Sequence, residues 1–144
     1  MAHYREQHII GFFPGVWDLL HAGHMDALKE ARAQCDFLVV GLQVDPTIDR
    51  PDKNKPIMTE KERVTMLKGI KYVDMVWIYK TEKQLYDLDS SDMFDMRFMG
   101  EDHKGRKHHK ILAPIVYVSR QHNLSSSELR KRVYLIECST KIKH

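Results

Sequence analysis

Two histidines, His21 and His24, stand three residues apart with only Ala22 and Gly23 between them, directly downstream of the apolar run Ile9-Ile10-Gly11-Phe12-Phe13. The run reads as a buried strand and residues 23–34 read as a helix, so both imidazoles fall where a strand hands over to a helix. That handover lies at the carboxyl edge of a parallel sheet, where open α/β sheets bind ligands. The first turn of a helix adds unpaired N–H groups and positive dipole character, which favour phosphate. Two donors on one wall of such a site suit a reaction that builds negative charge on phosphorus. Zinc is the competing use of a His-x-x-His pair, but no cysteine or acidic pair lies near enough in the chain to finish a closed ligand set.

Further polar residues gather in the segments expected at the same sheet edge. Asp18 precedes the histidines; Asp45, Lys53 and Lys55 follow the second strand; Gly100-Glu101-Asp102-His103 follows the fourth; Arg120 and Ser125-Ser126-Ser127 follow the fifth. The tetrad His21-Ala22-Gly23-His24 resembles a nucleotidyltransferase signature, and nucleotidyl transfer, the reaction which that resemblance implies, needs such a set. A phosphomonoester oxygen attacks the α-phosphorus of a nucleoside triphosphate and pyrophosphate leaves. The attacking group is already ionised, so positioning and electrostatic stabilisation carry the rate rather than a strong general base. His21 and His24 would supply donors to the phosphoryl oxygens, and Lys53 or Lys55 would neutralise the incoming phosphates. Arg120 would grip the triphosphate with its planar fork, and the N–H groups and hydroxyls of Ser125 and Ser126 would hold its β- and γ-phosphates.

The stretch Gly15-Val16-Trp17-Asp18-Leu19-Leu20-His21-Ala22-Gly23-His24 resembles the signature of the nucleotidyltransferase superfamily. It is most similar to the small cytidylyltransferases, those acting on glycerol 3-phosphate above all. The resemblance runs from about residue 9 to residue 132. It implies catalytic roles for His21, His24, Lys55 and Arg120, with the loop length leaving Lys53 as an equal candidate for the lysine. It further implies nucleotide contacts at Gly15, Val16, His24, Asp102, Arg120, Ser125 and Ser126. Met99-Gly100-Glu101-Asp102 is similar to the family's M-G-D-D, and Arg120-Gln121-His122-Asn123-Leu124-Ser125-Ser126 to its R-T-x-G-I-S-T. Gln121 in place of Thr removes a hydroxyl contact. Asn123 in place of Gly is mild, because Asn tolerates a left-handed backbone. Asp45, Lys53 and Arg63 are candidates for the acceptor side.

Bland roles compete for several of these residues. Arg63 could pair on a helix surface with Glu60 or Glu62, or serve an active site or a dimer interface. Asp18 suits a turn cap before the histidines, and Phe12, Phe13 and Trp17 suit packing. The basic run Lys104-Gly105-Arg106-Lys107-His108-His109-Lys110 reads as a solvated loop, the alternative being a flap over phosphates.

The elements that must position these groups alternate strand and helix. Strands are expected at residues 8–13, 36–42, 73–79, 96–99 and 115–118. Helices are expected at 23–34, 60–68 and 82–88, with a last one from 126 to about 137. Thr59-Glu60-Lys61-Glu62 and Ser125-Ser126-Ser127-Glu128 are capping boxes. Near-continuous apolar strands argue for a parallel sheet covered on both faces, and right-handed βαβ crossovers follow. The fold class is α/β, one doubly wound Rossmann-like domain over residues 1–144. The expected strand order is 3-2-1-4-5, with residues 1–7 a loose arm and 138–144 a tail.

At 144 residues the core is large enough to need neither disulfide nor metal. The two cysteines, Cys35 and Cys138, form no framework and a net charge of +3 is too small to call for nucleic acid. With no leader or membrane span in the sequence, a cytoplasmic location is expected. The resemblance implies CTP as donor, glycerol 3-phosphate as the favoured acceptor and a homodimer, with Mg²⁺ accompanying the triphosphate and held through phosphates and water. The competing functions are an adenylyltransferase acting on a sugar phosphate or cofactor precursor, and a non-catalytic nucleotide sensor.

Overall fold

The computed structural model describes residues 8–119 and 125–142. Five strands, β1 (Ile10–Gly15), β2 (Phe37–Gln43), β3 (Met75–Tyr79), β4 (Met96–Gly100) and β5 (Ile115–Val118), form one sheet. Every pairing is parallel and the order is β3-β2-β1-β4-β5, as the sequence predicts. Among the described residues four α-helices accompany it: α1 (Ala22–Arg32), α2 (Glu60–Lys68), α3 (Glu82–Asp89) and α4 (Ser126–Ile142). None of them is long and apolar enough to cross a membrane.

Register at the amino edge is set by a repeated device. Asp36, Asp74 and Asp95 each precede a strand, and each carboxylate accepts an amide from the adjacent strand or its lead-in: Ile9 N–H at 2.7 Å, Leu38 N–H at 2.8 Å and Ile10 N–H at 2.8 Å. Their own amides donate back to the carbonyls of Ile9, Leu38 and Ile10. Orphan groups at the strand starts are thereby satisfied in pairs.

Side-chain alternation sends Phe13, Leu38, Val40, Leu42, Phe98 and Val118 to one face, where Leu28 and Ala31 of α1 and Leu67 of α2 complete the main core. On the opposite face Phe12 stacks on Phe94 with centroids 4.4 Å apart and meets Trp77 edge-on at 5.9 Å. Here α3 packs through a buried ion pair. Arg97 of β4 is 5 % exposed, and its Nε and Nη2 donate to the Asp89 carboxylate, both at 3.1 Å. His109 Nε2 lies 2.6 Å from the same carboxylate, and its ring stacks on Tyr86 at 4.1 Å. The β4–β5 crossover has no α-helix; this contact fastens the basic run to the sheet face, so the loop is anchored at His109 rather than wholly solvated.

Some boundaries differ from the sequence reading. β1 runs on through Pro14 and Gly15, both expected to break it, because pairing with β4 reaches only Gly11 and Phe12. At Pro14 one side of the strand carries no ladder, so its missing N–H is accommodated. α1 begins at Ala22 instead of Gly23, β3 begins at Met75, and α4 continues to Ile142 through most of the expected tail. The proposed arm at residues 1–7 lies outside the described residues.

The Arg97–Asp89 pair yields a test. Removing one partner of a buried pair strands the other charge. Arg97→Leu is expected to lower unfolding stability by about 3–5 kcal/mol in urea titration; a loss under about 1 kcal/mol would mean that His109 alone satisfies Asp89.

Candidate functional site

The carboxyl edge is built around the turn between β1 and α1. Trp17 and Leu19 adopt left-handed backbone conformations, with φ of 55° and 49°, unusual for bulky residues. Such strain persists only where the surroundings over-determine it. Here the Trp17 indole N–H donates to the Gly41 carbonyl at 3.0 Å, and its ring meets Phe13 edge-on at 5.0 Å. The Ser126 hydroxyl donates to the Asp18 carbonyl at 2.7 Å.

The histidines use the turn in a specific way. His21 is the N-cap of α1, and its Nδ1 accepts the Gly23 N–H at 3.0 Å. His24 Nδ1 accepts the His21 N–H at 3.2 Å. A ring nitrogen that accepts a backbone N–H carries no proton, so in both neutral rings the proton sits on Nε2, on the far side of the ring from its cap. The two centroids are 3.9 Å apart and Trp17 backs His24 at 5.4 Å. The local sequence therefore yields two adjacent imidazoles whose donor atoms are chosen by the backbone.

The other candidates arrive from separate elements. Gly15 closes β1. Asp45 caps the 3-10 turn Pro46–Ile48. The Thr47 hydroxyl and amide donate to its carboxylate at 2.6 and 2.9 Å, which holds its pKa below the ordinary carboxylate range. Any stability this group lends the turn is therefore present above the ordinary carboxylate pKa and lost as pH falls through the lowered value. Lys53 and Lys55 are exposed on the following loop, and the Lys55 carbonyl accepts Arg130 Nη1 of α4 at 3.1 Å. Asp102 lies in the 3-10 turn Glu101–His103 directly after β4, with His103 Nε2 3.8 Å from its carboxylate. The Ser125 hydroxyl accepts the Glu128 N–H at 3.1 Å, as a helix cap. Arg120 lies outside the described residues.

Arg63 and Asp18 both serve the scaffold, the role the sequence favoured for Asp18. Arg63 makes no surface ion pair: it is 2 % exposed, and its guanidinium donates to main-chain carbonyls beneath the site. Burial, the largest influence on it, lowers its pKa. The Val16 carbonyl accepts from Arg63 at 3.0 Å. Asp18 is buried, and its carboxylate accepts the amides of Ile57 and Met58 at 2.8 and 2.9 Å, holding a distant loop. Two contributors went unassigned in the sequence. Arg130 could have been found by its place four residues after Ser126 on one helix face. Glu30, which accepts the Ser119 amide at 2.9 Å, carries no sequence signal. Among the described residues no cluster of histidine, cysteine or acid suited to a metal occurs.

A parallel sheet with paired imidazole donors at a helix start, flanked by a lysine loop and a serine-rich second helix start, defines a nucleotide-handling α/β domain. Residues 12–132 match the family model described as cytidylyltransferase-like; the chain belongs to that family, and is a nucleotidyltransferase by class. It is 40% identical over 95 residues to the bifunctional protein HldE of Acidiphilium cryptum (strain JF-5), a match covering 65% of this chain and 19% of that protein. A second bifunctional protein HldE, from Nitrobacter winogradskyi, is 40% identical over 84 residues, 57% of this chain and 17% of the relative. The matched chain thus spans about a fifth of the length of these curated relatives. Among solved structures, the lipopolysaccharide core biosynthesis protein from Thermoplasma volcanium GSS1 is similar, with a TM-score of 0.63 and 26% identity, covering 80% of this chain and 99% of that one. A pantoate-β-alanine ligase from Francisella tularensis, at TM-score 0.54 and 18% identity over 87% of this chain and 69% of the ligase, shares the fold.

Capping and chemistry at the histidines can be separated. His21→Asn keeps a side-chain acceptor for the cap but loses the Nε2 donor, so stability should hold while kcat falls about 10²–10³-fold. His24→Ala should lower kcat similarly, with a smaller change in KM. Steady-state kinetics beside thermal melts would check both, and near-wild-type turnover in either variant would remove that histidine from the chemistry.

Proposed function

We propose that this chain transfers AMP from ATP to the phosphate of a small sugar, releasing pyrophosphate. The observation that carries the nucleotidyl transfer is the backbone-selected Nε2–H tautomer of His21 and His24 at the start of α1. Donors fixed before substrate arrives can meet the charge that develops on the α-phosphoryl oxygens without reorganising, and each is worth about 3–4 kcal/mol of transition-state stabilisation. Lys53 and Lys55 neutralise the acceptor phosphate from the neighbouring loop. Ser125 and Ser126, at the start of α4, and Arg120 hold the leaving pyrophosphate.

The choice of sugar phosphate and ATP is supported by the relatives named HldE and by the likeness to a lipopolysaccharide core biosynthesis protein. CMP transfer from CTP to glycerol 3-phosphate is the second reading, favoured by the family description and by the motif resemblance. Mg²⁺ suits either reaction. The described residues offer no acidic cage, so their donor set fits an ion carried by phosphate oxygens and water; when bound, it would neutralise charge on the triphosphate.

Pyrophosphate release with Mg²⁺, crossing ATP and CTP against sugar phosphates, glycerol 3-phosphate, phosphocholine and phosphoethanolamine, tests the proposal. ATP with a sugar phosphate is the expected active pair. Turnover confined to CTP and glycerol 3-phosphate would establish the second reading. Nucleotide binding with silence across the panel would replace both with a sensor.

A further inference from the structure

The loop carrying Lys53 and Lys55 is held at both ends by groups buried under the histidine turn. At its start, Arg63 donates to the carbonyls of Gln43 and Val44, at 2.7 and 2.6 Å, where β2 leaves the sheet. At its end, the same guanidinium donates to the Met58 carbonyl at 3.1 Å. Its remaining bond, 3.0 Å to the Val16 carbonyl, reaches the segment just before Trp17 and Asp18. Asp18 completes the connection from the histidine side by accepting the Ile57 and Met58 amides. One buried cation and one buried anion thus join the end of β1, the end of β2 and the end of the lysine loop into a single unit.

We propose that Arg63, together with Asp18, is a positioning residue that fixes the lysine loop against the histidine turn, so that the acceptor phosphate is aligned with the phosphorus it attacks. The proposal rests on the acceptor role given above to the lysines. A misplacement of about 1 Å between reacting groups can cost about 10²-fold in rate, and a long exposed loop tied only by surface contacts would not hold that tolerance. Arginine suits the task because its rigid fork has five donors that can serve separate carbonyls at once. Lysine keeps the charge but has a single point of donation.

The test compares Arg63→Lys with Leu67→Ala, which opens a cavity under the same helix and removes no hydrogen bond to either loop. Arg63→Lys is expected to bind ATP–Mg²⁺ within about threefold of wild type while kcat falls about 10²-fold. Amides of residues 45–58 should exchange with deuterium at least about tenfold faster. Leu67→Ala should keep kcat within about threefold and leave exchange in that segment unchanged. Wild-type kcat and exchange in Arg63→Lys would overturn the proposal, as would equal losses in Leu67→Ala at matched stability. Should Arg63→Lys fail to fold, Asp18→Asn, which puts an amide N–H₂ where an acceptor stood, decides by the same exchange: a released loop supports the clamp and a wild-type loop overturns it. Exchange requires no turnover. A protein silent on every acceptor, yet with its loop released by Arg63→Lys, would sink the proposed reaction and keep the clamp.

Discussion

Where β1 and β2 leave the sheet their carbonyls lose ladder partners before the chain reaches solvent, and a buried carbonyl without a donor is costly. Arg63 removes that cost at Val16, Gln43 and Val44 with one side chain. The carboxyl edge can therefore be crowded with irregular backbone, including the left-handed Trp17 and Leu19. Without the guanidinium those segments would have to extend their strands or open to water, and either change would move the histidine turn. That buried charge lies beneath the turn, its donors taken up by main-chain carbonyls.

The histidine pair shows how little separates a structural device from a chemical one. Capping a helix requires an acceptor facing the first-turn amides, and the imidazole of His21 supplies it through Nδ1. Imidazole has a second nitrogen, so satisfying the helix leaves a proton on the opposite edge of the ring. Aspartate would cap α1 as well and offer no donor, and serine's one O–H sits on the capping atom itself instead of across a ring. Ser126 carries a related double use: its hydroxyl docks the start of α4 onto the Asp18 carbonyl, bringing one anion-attracting helix start against the turn that leads into the other.

Local patterns announced much of this. The capping box at Thr59 fixed the start of α2, and apolar runs flanked by Asp marked the strands. The His-Ala-Gly-His spacing marked the strand-to-helix handover, and His21 does cap the helix there. The failures share a cause. Pro14 looked like a strand breaker because its neighbour in the sheet was unknown. The tail after residue 137 looked unstructured, although no proline or glycine stops α4 there. Of the roles open to Arg63, the surface pair with Glu60 or Glu62 failed because helical spacing reports nearest neighbours and says nothing of what lies beneath the helix. The basic run looked solvated because its anchor, Asp89, is distant in sequence and belongs to α3.

What the sequence determined by itself was the class of chemistry and the order of elements, because caps, periodicity and the paired imidazoles act over a few residues. Tertiary structure decided which polar residues serve the scaffold. Asp18 and Arg63 carry the same charges in any conformation, but only the folded chain brings them to the amides of Ile57 and Met58 and the carbonyls of Val16, Gln43 and Val44. The reason is physical: a buried polar group is defined by the partners it meets after the chain has crossed the sheet, and those partners leave no periodic trace in sequence.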